Sequence, residues 1–190
     1  GTPITRPSGQ RRLPDGTVTF GPSIALDFEA EIGFVVGTPS TLGRPVSLTD
    51  FADHVFGVCL VNDWSARDIQ FWEYVPLGPL LGKSFATSIS PWVVPLDALG
   101  IARIRPPLRD PYPLPYLDDS GTEPWGWDIT LEVRLNGQLV SRPPFAGMYW
   151  TPAQQLAHLT SNGACLRTGD LFASGTVSGS VPAQRGSLLD

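Results

Sequence analysis

The stretch Leu26-Asp27-Phe28-Glu29-Ala30-Glu31-Ile32-Gly33-Phe34-Val35 alternates apolar and acidic side chains through its first half. Successive side chains of an extended strand point to opposite faces, so residues two apart share one. The pattern predicts a strand over about 24–36 with Asp27, Glu29 and Glu31 on one side and Leu26, Phe28, Ala30 and Ile32 on the other. An apolar back with three carboxylates in front is unusual unless something positive faces it. Ca²⁺ and Mg²⁺ prefer carboxylate oxygens and leave room for substrate oxygens, which makes a hard divalent cation the natural occupant. The same alternation also describes an edge strand whose outer face is merely solvated.

The rest of the chain bounds what that strand can serve. Its 190 residues bury a real core and fit one domain over 1–190. With 42% hydrophobic and 16% charged residues it is too apolar for disorder. A net charge of -5 speaks against a nucleic-acid partner, which would want a basic stripe. Arg6, Arg11 and Arg12 form the one basic cluster, read as a solvated Pro/Gly-rich arm. No apolar run reaches the length of a membrane span, and there is no signal-peptide core. Cys59 and Cys165 lie in apolar contexts without CxxC spacing, so buried free thiols in a reducing, cytoplasmic compartment are expected. A start at Gly1 without methionine suggests an excerpt of a longer protein.

Twenty glycines and twenty prolines punctuate short elements, which predicts a mainly β, β-rich α+β fold with a few short helices. Ser47-Leu48-Thr49-Asp50 reads as a capping box opening a helix through about residue 54. The apolar run Val55–Val61 predicts a buried strand ending at Asn62-Asp63, then a helical turn or two at about 65–74 and a strand near 91–95. Residues 105–116 form a proline-rich connector. Asn136-Gly137 between two alternating runs is a hairpin turn. Thr151-Pro152-Ala153-Gln154 starts a helix that Asn162-Gly163 ends, with His158 on it as a packing or surface residue.

Asp63, Arg67, Gln70 and Tyr74 are spaced four, three and four apart and would share one helix face. Such a stripe is either a polar recognition surface or a capped surface helix with an Asp–Arg pair. Gly82-Lys83-Ser84 imitates a phosphate loop but lacks the required glycine spacing. Lys83 is the only lysine in the chain, flanked by Gly-rich turns, and reads as a fixed ammonium pointing into a site. In Gly169–Gly179, closely spaced glycines mark either a backbone approach to a ligand, with Thr176 presenting its hydroxyl, or a bulge without one.

The run Asn62-Asp63-Trp64-Ser65-Ala66-Arg67-Asp68-Ile69-Gln70, continued through Trp72-Glu73-Tyr74-Val75-Pro76-Leu77-Gly78-Pro79 to Gly82-Lys83-Ser84-Phe85, resembles the fumarylacetoacetate hydrolase family. The acidic strand, Met148-Tyr149-Trp150-Thr151 and Gly169–Thr176 are similar to the same family, so the resemblance runs from Gly1 to Asp190. The Trp-Glu-Tyr-Val-Pro-Leu-Gly-Pro segment points to its fumarylacetoacetase branch rather than to the acylpyruvases and hydratases. That resemblance implies a mixed β-sandwich roll, a homodimer, a small diketo-acid substrate, and hydrolysis of a carbon–carbon bond to yield fumarate and acetoacetate at the end of tyrosine breakdown.

It also implies roles. Glu29, Glu31 and Asp63 match the family's ligands to a divalent cation, Ca²⁺ and/or Mg²⁺, and Asp63, Lys83 and Thr87 match residues beside a second, Mg²⁺-type ion. Arg67, Gln70 and Lys83 match groups that stabilise negative charge on oxygen and on the leaving carbanion; Tyr74 and Thr176, with Gln70, match substrate-binding groups. Such a reaction expels an enolate, so it needs a Lewis acid on the diketone oxygens, preorganised donors worth roughly 3–4 kcal/mol each, and a base for water. The chain departs from the pattern in two ways. The family's histidine base and one further aspartate ligand belong to a segment that would precede Gly1, and neither His54 nor His158 matches that histidine. The acid that orients the base is a glutamate in the family, whereas Asp190 stands in its place, one methylene shorter. The expectation is a partial catalytic domain that alone binds metal weakly and turns over nothing, within a protein that hydrolyses the diketone. A related acylpyruvate hydrolase or hydratase, and a non-catalytic cation-binding β-module, are the alternatives.

Overall fold

The chain enters as a hairpin, not as a solvated arm. In a computed structural model describing residues 2–190, β1 (Ser8–Arg12) and β2 (Val18–Pro22) pair antiparallel around a turn in which Gly16 takes φ +87°. The basic cluster is put to use there: Arg11 reaches Asp68 at 3.7 Å, and the Arg12 guanidinium lies 5.3 Å from the centre of the Trp72 ring.

The acidic stretch forms two strands, β3 (Leu26–Asp27) and β4 (Ala30–Val36), with Phe28 and Glu29 between them. A 3₁₀ turn at Leu48–Asp50 leads into α1 (Phe51–His54). The expected Ser47 capping box is not formed, because its hydroxyl bonds the Thr49 hydroxyl at 2.7 Å instead of a backbone amide. Next come β5 (Val55–Asp63), β6 (Ser65–Ala66) and α2 (Arg67–Glu73). Phe56 and Leu60 are each 55% exposed, so β5 is not buried along its whole apolar run. The strand expected near 91–95 is displaced into β7 (Thr87–Ile89) and β8 (Val94–Pro95). Pro91 has no N–H for the ladder, and Ser90 turns the chain by bonding the Trp92 carbonyl.

Two short pieces, β9 (Arg103–Ile104) and β10 (Gly126–Trp127), bracket the proline-rich connector. The hairpin of β11 (Val133–Leu135) and β12 (Gln138–Ser141) turns at Asn136 (φ 51°) and Gly137 (φ 80°), the pair of positive angles a type I′ turn requires. Helix α3 (Pro152–Thr160) carries the expected capping box, Thr151 and Gln154 each bonding the other's backbone. Strand β13 (Leu171–Ala173) completes the main sheet, an antiparallel array in the order β13–β4–β5–β7 with β8 also on β5.

The core lies on one face of that sheet. Ile32, Phe34 and Val36, two apart along β4, point into it with Phe51, Trp127, Phe145 and Leu156. Phe34 stacks on Phe172 at 4.8 Å and on Trp127 at 6.1 Å. The intervening residues therefore face the other way, and that is where the carboxylates stand. Among the described residues no helix is long and apolar enough to cross a membrane.

Candidate metal centre

Sheet register, rather than closeness in sequence, assembles the site. The Asp63 amide donates to the Glu29 carbonyl at 3.1 Å and Ala30 pairs with Asn62, so Glu29 and Asp63 lie abreast on neighbouring strands. Thr87 is the residue of β7 paired with Asp63. Glu31 stands one pleat along β4 on the same face. The carboxylate oxygens of Glu29, Glu31 and Asp63 lie within 4.8 Å of one another, with both glutamates buried.

Two cations stand against this cluster. Lys83 Nζ donates to Glu29 Oε2 at 2.5 Å and to Asp63 Oδ2 at 2.9 Å. The Arg67 guanidinium meets Glu29 Oε1 through Nη1 at 2.7 Å and Asp27 Oδ2 through Nε at 2.9 Å. Glu31 receives neither. Burial, and then the charges of Asp63 and Glu29, push its carboxyl up to about 7.

The donor set fits a hard divalent cation. Three acidic side chains offer only oxygen, the ligand such ions prefer. Asp27, Glu29, Glu31 and Asp63 bring four negative charges against the positive charges of Arg67 and Lys83. With every carboxyl ionised two charges are left over, the amount one M²⁺ would neutralise, and Glu31, raised by burial and by its acidic neighbours, is the group that gives up its charge most readily without one.

The loop after α2 explains how the one lysine arrives there. Glu73 Oε1 accepts from the amides of Leu80 at 2.8 Å and Gly82 at 2.6 Å, and the Gly82 carbonyl accepts from the Ala66 amide. A Cβ on Gly82 would stand 2.8 Å from the Gln70 amide nitrogen, so the loop lies directly on the helix and presents Lys83 next. Glu73 was missed from sequence. A carboxylate in the last turn opposes the helix dipole, and that misplacement was the available signal of a specific partner.

Of the stripe expected on one helix face, Arg67, Gln70 and Tyr74 are together on α2 or its C-cap, and Arg67 Nη1 donates to Gln70 Oε1 at 3.3 Å. Asp63 is not on the helix, and the Asp–Arg pair is absent. β5 runs on through Asp63, Ser65 and Ala66 pair back to β3, and the Asp63 carboxylate turns to Lys83. Tyr74 is exposed, edge-on to Phe71.

Thr176 comes in from the C-terminal region. The Ser174 amide donates to the Ile32 carbonyl and the Val177 amide to the Ala30 carbonyl, each at 2.9 Å. Between them Gly175 takes φ +76° and adds a residue, bringing half-buried Thr176 level with Glu31 along β4. Asp190 lies at the end of the segment that follows. Its carboxylate accepts from the Ser178 hydroxyl and its amide donates to Ser187 Oγ at 3.2 Å.

Neither histidine touches the cluster. His54 Nδ1 bonds the Thr38 carbonyl before β5 begins, about 30 Å of extended strand from Asp63. His158 pairs with the Tyr116 hydroxyl on the exposed side of α3. Cys59 is buried and free, but Cys165 is exposed, correcting the expectation for it: Leu166, not Cys165, is the residue that turns inward there.

Comparison with known proteins places this geometry. The family described as fumarylacetoacetate (FAA) hydrolase C-terminal matches residues 1–189. Fumarylacetoacetase of Rattus norvegicus is 52% identical over 198 aligned residues, and that of Homo sapiens 50% over 197. Each match takes in 100% of this chain and 46% of the relative, so the chain spans about half the length of the curated proteins it resembles. Among solved structures, the fumarylacetoacetate hydrolase of Exiguobacterium antarcticum matches with a TM-score of 0.58 at 22% identity, over 91% of this chain and 63% of that one. A 5-carboxymethyl-2-hydroxymuconate delta-isomerase of Mycobacterium smegmatis gives a TM-score of 0.56 at 19% identity, over 95% and 71%. At such identities the structural likeness speaks for the fold.

Proposed function

The chain belongs to the fumarylacetoacetate hydrolase family, and from that membership and the carboxylate cluster we propose that the protein hydrolyses 4-fumarylacetoacetate to fumarate and acetoacetate, the closing step of tyrosine catabolism. The observation that carries the reading is the convergence of Glu29, Glu31 and Asp63 on one point, with Arg67 and Lys83 beside them.

Glu29, Glu31 and Asp63 would hold Ca²⁺ or Mg²⁺. When bound, such an ion supplies a Lewis acid for the two diketone oxygens. Asp63 and Thr87 offer oxygens for a second ion; the Lys83 ammonium has no lone pair, so that residue would contribute its main-chain carbonyl. Every other part of the work falls to side chains. Gln70 and Tyr74, one helical turn apart, and Thr176 orient the substrate. Among the described residues no acceptor meets Arg67 Nη2, which leaves it free to donate to an oxygen on which negative charge develops. Lys83 carries its ammonium proton where the departing enolate needs charge stabilisation. Neither histidine here is placed to take the proton of water; Asp190 would orient the group that does.

The remaining assignments are also proposals: a cytoplasmic enzyme acting as a homodimer. Ile89 and Trp92 at the β7–β8 edge, 58% and 80% exposed, form an apolar margin suited to a second copy.

The test is absorbance-monitored loss of 4-fumarylacetoacetate by the full-length protein. Glu31→Gln should lower turnover at least ~100-fold, and a chelator should abolish it until Ca²⁺ or Mg²⁺ is restored. Wild-type rates in Glu31→Gln, or under chelation, would reject the reading.

A further inference from the structure

Asp27 belongs to the acidic strand yet takes no part in the carboxylate cluster. It is 4% exposed, and both of its oxygens are fully engaged. Oδ1 accepts from the amides of Phe28 at 2.8 Å and Leu188 at 2.9 Å. Oδ2 accepts from Arg67 Nε at 2.9 Å and the Leu189 amide at 3.2 Å. Four donors on two oxygens fill the acceptor positions of a carboxylate. Among the described residues, Arg67 Nε and the amides of Leu188 and Leu189 have no other acceptor.

The consequence is geometric. A guanidinium is planar, so fixing its Nε edge fixes the direction of its other nitrogens. With Nε on Asp27, Nη1 is aimed at Glu29 and Gln70, and Nη2 is the donor the protein leaves untaken. The same carboxylate clasps two consecutive amides of the segment that delivers Asp190. That segment is held on β4 by one further bond, from the Ala30 amide to the Gly186 carbonyl. A lysine in place of Arg67 would lack the planar fork, and an amide in place of the Asp27 carboxylate would keep one oxygen and turn an NH2 towards the donors of the other.

We infer that Asp27 is a positioning residue: its single carboxylate couples the Arg67 guanidinium to the backbone of the Gly186–Asp190 segment and so holds the donor at 67 and the acid at 190 in one fixed relation across the acidic strand. The role of Arg67 toward substrate rests on the function proposed above; the clasp itself does not.

Two measurements on the full-length protein separate these. Amide hydrogen exchange in Asp27→Asn should accelerate about tenfold or more at Leu188 or Leu189, whichever amide then faces the carboxamide nitrogen, while the β5 amides keep their protection; unchanged exchange at both positions overturns the clasp. In a double-mutant cycle on turnover, Asp27→Asn should lower kcat about tenfold with little change in KM, and should cost nothing further once Arg67→Ala is present. An equal cost in both backgrounds would mean that Asp27 acts by general stability and would overturn the coupling. If Asp27→Asn does not fold, Asp27→Glu, which keeps the acceptors one methylene farther out, runs the same cycle with the same outcomes. Wild-type turnover in Arg67→Ala would sink the substrate role of Arg67, and a coupling to Arg67 would then have nothing to act through in catalysis, while exchange at Leu188 and Leu189 still decides the clasp.

Discussion

Asp27 and Glu29, two residues apart on the acidic stretch, both meet Arg67, whereas Glu31 meets no cation, so one alternating pattern yields three different electrostatic settings. What distinguishes them is who arrives from elsewhere in the chain, which no single-residue property encodes. Asp68, next to Arg67, shows the same rule away from the site. Burial alone would raise its carboxyl, but hydrogen bonds from the Ser23 hydroxyl and the Ile24 and Ile69 amides outweigh that and hold it below its usual 3.8. A depressed folded-state value stabilises the protein above the unfolded value, and the gain disappears as pH falls through the folded one. Asp68→Ala should therefore cost about 2 kcal/mol at pH 7, with the gap to wild type closing below pH 3.8. Urea denaturation across that pH range checks it; a gap independent of pH would remove the carboxylate from the account.

The elements divide by how local their signals are. Helix α3 was legible from Thr151, Pro152 and Gln154 because a capping box is a contract between residues three apart. The Asn136-Gly137 hairpin was legible for the same reason: two positive φ angles, two permissive residues. The Ser47 box, equally plain on paper, failed because the Thr49 hydroxyl competed for the cap. The loop bearing Lys83 was readable only as Pro/Gly-rich, since its shape depends on Glu73 reaching forward to Leu80 and Gly82. At Gly82, an added Cβ would press on the Gln70 backbone at 2.8 Å and 3.0 Å, and backbone cannot give way as a side chain does. Gly82→Ala should destabilise by about 1–3 kcal/mol and move Lys83 off Glu29 and Asp63. Thermal melts and divalent-cation titration would register the two effects; an unaltered melting temperature together with unaltered affinity would show that the loop does not need this close approach.

At the scale of the whole molecule, a sheet with its core on one face leaves the other free to collect charge, and there the carboxyl groups of Asp27, Glu29, Glu31 and Asp63 outnumber the cations Arg67 and Lys83 by two. A ligand that binds only the folded state adds stability by mass action, about 2.7 kcal/mol at a hundred times its Kd. For a chain of 190 residues that corresponds to a rise of roughly 5–10 °C in Tm. Saturating Ca²⁺ or Mg²⁺ should produce it where K⁺ does not, read by differential scanning calorimetry. No shift with either ion would leave the carboxylates without their proposed partner. The β-rich class, the family, and the shared face of Glu29 and Glu31 were present in the sequence, because alternation and short motifs are local and the strand pleat converts spacing into a face. Only the tertiary structure decided that Asp27 turns to Arg67 and the Gly186–Asp190 segment, that Asp63 belongs to Lys83 rather than to Arg67, and that Glu31 stands without a cation. Those choices depend on strand register and on segments returning across 20, 40 and 161 residues, and pairing over such distances has no signature in the residues that lie next to one another.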